Sequence, residues 1–185
     1  MTTPTIWKLD PTHSNVEFSA KHMMFTTVKG RFTDFEGTVT TVNDESPETA
    51  SVNVRMKTAS IDTRTEQRDQ HLRSADFLDA ERFPALTFTS TTIKGAKDHF
   101  SVTGDLTIRG TTRPVALDVA FEGAGKDPWG GERMGFVASG KIDRREFGLT
   151  WNQALELGGV LVGNDIKIQI DAQLTKVQAA LTATA

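Results

Sequence analysis

The chain has 185 residues, with 21 Lys and Arg, 24 Asp and Glu, no Cys and a formal net charge of −3. This length is typical of one domain, which buries enough surface to fold without a disulfide or a metal. The lack of Cys excludes disulfides, thiolate nucleophiles and cysteine-ligated zinc or iron–sulfur sites. The small negative charge gives no general attraction to nucleic acid, so we expect no nucleic-acid partner.

The first residues, 1–5, lead directly into Ile6-Trp7-Lys8-Leu9. They contain no basic start, no apolar stretch of about 7–15 residues and no small-residue cleavage site. No run in the chain approaches the roughly 18 apolar residues of a membrane helix. The sequence therefore predicts a cytoplasmic protein without an integral membrane segment.

Alternation of apolar and polar residues is the dominant pattern along the chain. The clear examples are the stretches that begin at Val16, Val52, Phe100, Val115 and Ile166. Weaker strands are expected over 32–42, 85–93 and 133–142. Alternation places one set of side chains on each face of a strand, and one dry face with one wet face is typical of antiparallel sheets.

Turn residues separate these strands. Gly and Pro in 110–114 predict a hairpin, 94–98 is expected to be a turn, and 122–132 is expected to be a long loop. No helical pattern alternates with the strands, which number about eight. The chain is therefore predicted to be an all-β barrel or sandwich.

One polar segment departs from the alternation. Thr63-Arg64-Thr65-Glu66 fits a capping box, in which the Thr63 hydroxyl and the Glu66 carboxylate satisfy each other's backbone donors. Good helix formers follow over 67–73, where Leu72 is the main apolar residue. Phe83-Pro84 ends the segment. We predict one or two short helices at the rim of the sheet.

Most sequence motifs of enzymes are missing, among them G-x-S-x-G, H-E-x-x-H and a Walker loop. The four His are not spaced as metal ligands on one helix, so hydrogen-bonded rim histidines are favoured over a metal site. Arg68 and His71 fit a solvated helix face and a ligand head-group site equally well. Arg144 and Arg145 fit a strand-end pair better than a phosphate site.

Small residues recur on the predicted dry face, namely Ala20, Gly104, Ala138, Gly140 and Ala172. An eight-stranded barrel is either just filled by side chains or holds one small ligand. Small residues can pair with large neighbours in a filled core, or they can leave a channel for an apolar chain. The alternation alone is compatible with both.

Several segments taken together resemble the YceI-like family, over roughly residues 6–176. The match begins with Trp7-Lys8-Leu9-Asp10, His13-Ser14 and Val16-x-Phe18, and continues with His22-Met23, Val28-x-Gly30-x-Phe32 and Phe35-x-Gly37. It then includes Ser60-Ile61-Asp62-Thr63, Arg68-Asp69-x-His71-Leu72, Asp76-Phe77, Phe83-Pro84 and Phe88-x-Ser90. It ends with Gly104-Asp105-Leu106-Thr107-Ile108-x-Gly110-x-Thr112 and Arg144-x-x-Phe147-Gly148. The individual motifs are weak, but their order and spacing are specific.

The resemblance implies a single domain over 1–185, folded as a lipocalin-like, eight-stranded antiparallel β-barrel with short helices at the rim. It also implies non-catalytic binding, transport or storage of a long apolar amphiphile, most typically a polyisoprenoid such as an isoprenoid quinone or its precursor. The family has no established catalytic residues, no metal and no cofactor besides the bound isoprenoid or fatty amphiphile. Its members often form homodimers, which we expect here. Many are periplasmic, unlike the cytoplasmic location predicted from residues 1–9.

The family view suggests two sets of binding residues. An apolar tunnel is expected to be lined by Phe18, Ala20, Val54, Met56, Phe88, Val102, Gly104, Leu106, Leu117, Val119, Phe136, Ala138, Ile168 and Ile170. The candidates for a polar mouth that holds the head group are His13, His22, Arg68, His71 and Arg144. A structural role at helix and strand ends remains open for each polar residue.

Two other functions compete with lipid binding. One is an enzyme acting on a lipid-like substrate, with His71 and Asp69 at the barrel mouth as acid and base. The other is a stress-linked scaffold with a filled barrel and a partner-binding outer surface. Absence of both a ligand and a cavity would favour the scaffold, whereas a pH-dependent turnover that is lost in His71→Ala, with binding retained, would favour the enzyme.

Overall fold

The computed structural model describes residues 4–42 and 47–177. The strands of the described residues are β1 (Thr5–Leu9), β2 (Asn15–His22), β3 (Thr26–Phe32), β4 (Phe35–Thr41), β5 (Ser51–Lys57), β6 (Ile61–Asp62), β7 (Ala85–Ala96), β8 (His99–Ile108), β9 (Thr111–Lys126), β10 (Glu132–Asp143) and β11 (Val162–Lys176). The same residues contain one α-helix, α1 (Glu66–Arg73), and short 3₁₀ turns at Pro47–Thr49, Thr58–Ser60 and Arg144–Phe147.

These strands form eight barrel strands, three of which are interrupted. β1 and β2 follow one another along one edge of β11. β4 pairs with β1 while β3 pairs with β2, so β3 and β4 make the next barrel strand. β5 pairs with β4 and β6 pairs with β3, so β5 and β6 together make the third interrupted barrel strand.

The remaining barrel strands, β7 to β11, are uninterrupted and pair in chain order. All pairs are antiparallel. β11 closes the sheet, since it contacts β10 on one edge and β1 with β2 on the other. The prediction of a closed, eight-stranded antiparallel barrel with a short helix at its rim is confirmed.

The apolar residue of each alternating pair faces the inside of the barrel. Ala138 pairs with Ile170 across β10 and β11, and Val102 pairs with Leu117 across β8 and β9. The neighbouring polar residues, such as Lys167, are exposed on the outer face. The dry face inferred from the alternation is therefore the barrel interior.

The two ends of the barrel differ. One end, called the helix end below, carries the turn 23–25, the segment 63–84 with α1, the turn 109–110 and the segment 144–161. The opposite end carries the turn 97–98 and the loop 127–131. None of the helices within 4–42 and 47–177 is long and apolar enough to cross a membrane.

Some local details differ from the prediction. The first strand, Thr5–Leu9, was not predicted from the sequence. The long loop expected over 122–132 is only five residues, because β9 extends to Lys126 and β10 starts at Glu132. The hairpin predicted at 110–114 is present between β8 and β9, but its turn lies at 109–110 and β9 already begins at Thr111.

The capping box at the start of the helix was also wrong. The N-cap is Thr65, which makes no side-chain cap hydrogen bond. The hydroxyl of Thr63 instead donates to Asp69, and the Glu66 carboxylate accepts from Gln70 and Arg73. A hydroxyl that donates to a carboxylate makes a charge-assisted hydrogen bond, which is stronger than the bond that Thr63 would accept from the backbone N–H of Glu66 in a capping box.

Candidate ligand-binding cavity

The barrel encloses a cavity of about 710 Å³. This volume lies within the range of about 300–1,000 Å³ that is typical of small-molecule sites. Ile166, Ile168 and Ile170 face inward but are only partly buried, because they line this cavity. The barrel is therefore not filled by its own side chains.

The cavity is long as well as apolar. Along β11 its lining extends from Val162 at the helix end to Leu174 near the opposite end. These twelve residue steps correspond to about 40 Å along the strand at about 3.3 Å per residue. Because barrel strands tilt by about 35–45°, this is about 30 Å along the barrel axis. The shape fits an extended chain better than a compact molecule.

Most of the apolar residues proposed from the sequence line the cavity. They are Phe18, Ala20, Val54, Met56, Phe88, Val102, Leu106, Leu117, Val119, Phe136, Ala138, Ile168 and Ile170. Gly104 does not line it, because the Phe88 ring covers this position. A Cβ at Gly104 would lie 2.7 Å from Cε2 of Phe88.

The small inward residues fall into two groups. Gly104 and Gly140 pair with large neighbours, since a Cβ at Gly140 would lie 2.6 Å from Cδ2 of Leu117. Ala20, Ala138 and Ala172 instead line the open cavity. The two possibilities left open by the sequence therefore both occur, at different positions. Neighbouring side chains occupy the space beside the two glycines, whereas the space beside the three alanines is open cavity.

Three aromatic rings meet at the helix end of the cavity. His71 from α1 lies edge-on to Phe77 at 5.0 Å and to Trp151 at 4.7 Å between ring centroids. The rings of Phe77 and Trp151 lie 5.2 Å apart. All three residues line the cavity, so this aromatic trio forms part of its wall at the helix end.

Arg144 holds the segment that carries Trp151. Its side chain is 2% exposed and donates hydrogen bonds to the carbonyl oxygens of Leu149, Trp151 and Gly163 at 2.6–2.9 Å. Burial lowers the pKa of this guanidinium from its usual value. Although Arg144 lines the cavity, its hydrogen bonds to the backbone make it a structural anchor for this end of the barrel.

A second polar network joins α1 to the barrel. Oδ1 of the buried Asp69 accepts from the backbone N–H and the hydroxyl of Thr63, at 2.9 and 2.6 Å. Nε and Nη2 of Arg68 donate to the hydroxyl and the carbonyl of Thr63, at 2.7 and 2.8 Å. No acceptor within 4–42 and 47–177 contacts Nη1 of Arg68, and the side chain lines the cavity.

The acid–base pair considered from the sequence is not formed. Asp69 is bound to Thr63, whereas Nε2 of His71 lies 2.9 Å from Oδ2 of Asp76. This bond orients the His71 ring against its two aromatic neighbours. His22 also lines the cavity, and its ring has no hydrogen-bond partner among the described residues.

His13 lies away from the cavity. Its Nδ1 contacts Oδ2 of Asp10 at 2.8 Å on the outside of the barrel, and its side chain is 61% exposed. Burial raises the pKa of Asp10, but hydrogen bonds from His13, Thr12 and Arg133 outweigh it and lower that pKa to about 2. This network ties the bend between β1 and β2 to β10, so the proposal of His13 as a mouth residue has no support in its position.

The sequence reasoning missed Trp151, Phe77 and Thr63 as cavity residues. The one sequence feature that could have pointed to Trp151 is that it is a large aromatic residue in an irregular segment between two long strands. Within the described ranges, no group of three or more His, Asp or Glu side chains is placed to hold a metal ion.

Comparisons with known proteins agree with this architecture. The model of the YceI-like domain matches residues 7–174. Protein YceI of Salmonella newport (strain SL254) is 45% identical over 138 residues, which are 75% of this chain and 72% of that protein. The Campylobacter jejuni YCEI protein has a TM-score of 0.74 and 31% identity, and the match covers 85% of this chain and 90% of that chain.

Two more distant structures share the fold. BcnA from Burkholderia cenocepacia has a TM-score of 0.77 and 23% identity, covering 89% of this chain and 98% of that chain. A polyisoprenoid-binding domain from Saccharophagus degradans has a TM-score of 0.67 and 12% identity, covering 92% and 98%. Since the family model covers nearly all of the barrel, and a relative is 45% identical over three quarters of the chain, this protein belongs to the YceI-like family.

Proposed function

We propose that the protein binds a long apolar amphiphile inside the barrel, without catalysis, for transport or storage. The observation that carries the proposal is the elongated cavity of about 710 Å³, which is lined mostly by apolar side chains. Polar groups, among them Arg68 and His22, line its helix end, and Lys97 lines it at the opposite end. The ligand class that fits best is a polyisoprenoid, such as an isoprenoid quinone or its precursor. The polyisoprenoid-binding domain from Saccharophagus degradans supports this choice, because it shares the fold.

Binding would rest on the hydrophobic effect. Each methylene group removed from water contributes about 0.8 kcal/mol, so a chain of many carbons can bind tightly without polar contacts. The lining side chains of β11, such as Ile168, offer no hydrogen-bond partners, and an apolar chain needs none. Selectivity for length would follow from the length of the cavity.

Arg68 and His22 are the strongest candidates for the head group. Both line the cavity, and Nη1 of Arg68 and the His22 ring have no hydrogen-bond partner within 4–42 and 47–177. Quinone or hydroxyl oxygens can accept hydrogen bonds from such donors. Arg144 is less suited, because its donors are already used by backbone carbonyls.

The first test is mass spectrometry of the purified protein, under native conditions and after extraction with organic solvent. We expect a co-purifying isoprenoid or acyl amphiphile at about one molecule per chain. A protein that is empty, and that also takes up neither added isoprenoid quinone nor fatty amide, would refute the proposal.

A matched pair of alanines tests whether the ligand lies inside. Ala138 faces the cavity on β10, whereas Ala116 is exposed on the outer face of β9. Ala138→Phe places a ring in the ligand's path, and we expect affinity at least about tenfold weaker. Ala116→Phe should leave affinity unchanged. Equal affinity in both folded variants would contradict an interior site.

Arg68→Met tests the head group. If Nη1 of Arg68 binds an oxygen of the ligand, the variant should lose affinity for an isoprenoid quinone but keep affinity for an alkane of similar length. Equal losses for both ligands would show that Arg68 acts only by holding Thr63.

A further inference from the structure

Two hairpin tips at the helix end expose large apolar side chains to solvent. One tip, residues 23–25, joins β2 to β3 and exposes Met24 (58%) and Phe25 (71%). The other tip, residues 155–159, exposes Leu157 completely. Together they are called the twin tips below.

The twin tips lie side by side. The backbone N–H of Met23 donates to the carbonyl of Leu161 at 2.8 Å. A Cβ built at Gly159 would lie 3.8 Å from Cγ of Met24, which is ordinary van der Waals contact. The apolar side chains of the two tips therefore belong to one surface rather than to two separate loops.

Both tips have a defined backbone. Ala154 and Val160 form a β-bridge, and the N–H of Leu155 donates to the carbonyl of Gly159 at 3.2 Å. Met23 and Met24 have φ values of 51° and 69°. Tight hairpins with positive φ usually use Asn and Gly, because other side chains are disfavoured there. The chain thus keeps large apolar side chains at a tip where small polar residues would be less strained.

The twin tips adjoin the cavity. His22 directly precedes the first tip, Leu161 follows the second by two residues, and both line the cavity. Trp151, which precedes the second tip in the same segment, belongs to the aromatic trio. A surface that covers the twin tips would therefore lie against the helix end of the cavity.

We infer that the twin tips insert into the surface of a phospholipid bilayer and place the helix end of the cavity against it. This inference rests on the proposed function, because an apolar amphiphile resides in a bilayer and would pass between bilayer and cavity without crossing water. The side chains of Met24, Phe25 and Leu157 would lie among the acyl chains near the head groups.

Charge and area both favour a bilayer. Within two positions of the tips, the Lys, Arg, Asp and Glu residues are Lys21 and Glu156, so the tips themselves carry no net charge. Binding would rest on apolar insertion and would not require anionic lipid. Three exposed side chains also offer less area than the roughly 800 Å² per partner of a stable protein interface, which argues against a second copy of the chain.

The test measures co-sedimentation of the protein with phosphatidylcholine vesicles. Phe25→Ser should weaken vesicle binding by about tenfold, and raising the salt from about 0.1 M to about 1 M should have little effect. The matched control is Trp129→Ser, because Trp129 is 87% exposed on the loop at the opposite end of the barrel. That variant should bind like the unchanged protein.

The lack of Cys allows a second readout by single labelling. An environment-sensitive fluorophore on Leu157→Cys should shift to shorter wavelength with vesicles, whereas the same label on Trp129→Cys should not. No vesicle binding, or a shift only at position 129, would overturn the inference. Conversion of a dimer to a monomer by Phe25→Ser, without loss of vesicle binding, would also overturn it.

Ligand uptake separates this inference from the proposed function. Geranylgeraniol is supplied either from vesicles or by dilution from ethanol. If both proposals hold, Phe25→Ser takes up ligand normally from ethanol and slowly from vesicles. Equal uptake rates from vesicles would overturn the docking surface alone, and no uptake from either source by the unchanged protein would refute the binding function.

Discussion

Nη1 of Arg144 donates a hydrogen bond to the carbonyl oxygen of Trp151 at 2.9 Å, and this bond ties a buried cation to the aromatic trio at the helix end. The same side chain binds the carbonyls of Leu149 and Gly163. The 3₁₀ turn after β10, the following loop and the start of β11 are therefore held by one residue.

Loss of Arg144 should destabilise the protein strongly. Arg144→Met leaves several buried carbonyl groups without donors, and we expect the free energy of unfolding to fall by more than about 3 kcal/mol. Urea denaturation measures this loss. The control is Arg145→Met, since the Arg145 side chain is 58% exposed and, among the described residues, forms its ion pair with Asp143. A small effect of Arg144→Met would contradict the anchoring role.

A methyl group at Gly104 should destabilise the barrel without opening the cavity. A Cβ there would lie 2.7 Å from Cε2 of Phe88 and 2.6 Å from the backbone oxygen of Thr89, which cannot move away easily. For Gly104→Ala we expect a loss of about 1–3 kcal/mol in the free energy of unfolding. Gly125→Ala is the control, because no atom of the described residues, other than its own and those of its chain neighbours, lies within 4 Å of its Cβ position. Equal stability of the two variants would rule out the close packing of Phe88.

The link between Asp69 and Thr63 should stabilise α1 on the barrel. Asp69→Ala removes the acceptor of two buried donors of Thr63, so we expect a loss of about 2–3 kcal/mol on unfolding. Glu66→Ala, on the exposed face of the same helix, should change stability little. Hydrogen exchange of the α1 amides should be faster in the first variant only, and unchanged protection would contradict this link.

Acid should lower the free energy of unfolding of the protein, in part by protonating Asp10. The pKa of Asp10 is about 2 in the folded chain, against an ordinary value of 3.8. Because the folded pKa is lower, its stabilising contribution is complete above about pH 4 and is lost as the pH falls toward about 2. Between these pH values, the free energy of unfolding should therefore fall less for Asp10→Asn than for the unchanged protein.

Thermal unfolding at several pH values between about 2 and 5 measures this effect. Glu36→Gln, on the outer face of β4, is the control and should keep the acid sensitivity of the unchanged protein. If Asp10→Asn and the unchanged protein lose stability in parallel, the hydrogen bonds of Asp10 do not contribute to acid denaturation.

The barrel strands and their inward faces could be predicted from the sequence because alternation has a direct meaning on a strand. Ile166, Ile168 and Ile170 face inward as the pattern indicates, and Ala138 pairs with Ile170. The strand β1 (Thr5–Leu9) was missed because its alternation is too short to stand out from the flanking residues. The family resemblance supplied the closure into eight strands.

Side-chain partners could not be predicted in the same way. The sequence places Asp69 two residues from His71, but a helix turns neighbouring side chains to different sides, and the two residues bind Thr63 and Asp76 instead. The rings of Trp151 and His71 are in contact although the two residues are 80 positions apart in the sequence, and no local pattern predicts such a contact. Such contacts depend on how the ends of the barrel close.

The sequence by itself determined the strand periodicity, the polar rim segment and the small residues of the inward face, because each of these is a local property of the chain. Only the tertiary structure decided which small residues leave space. The side chains of Phe88 and Leu117 occupy the space beside Gly104 and Gly140, whereas the space beside Ala138 is part of the cavity. Whether a gap stays open depends on the reach of side chains from neighbouring strands, which is fixed only once the register of the closed barrel is set.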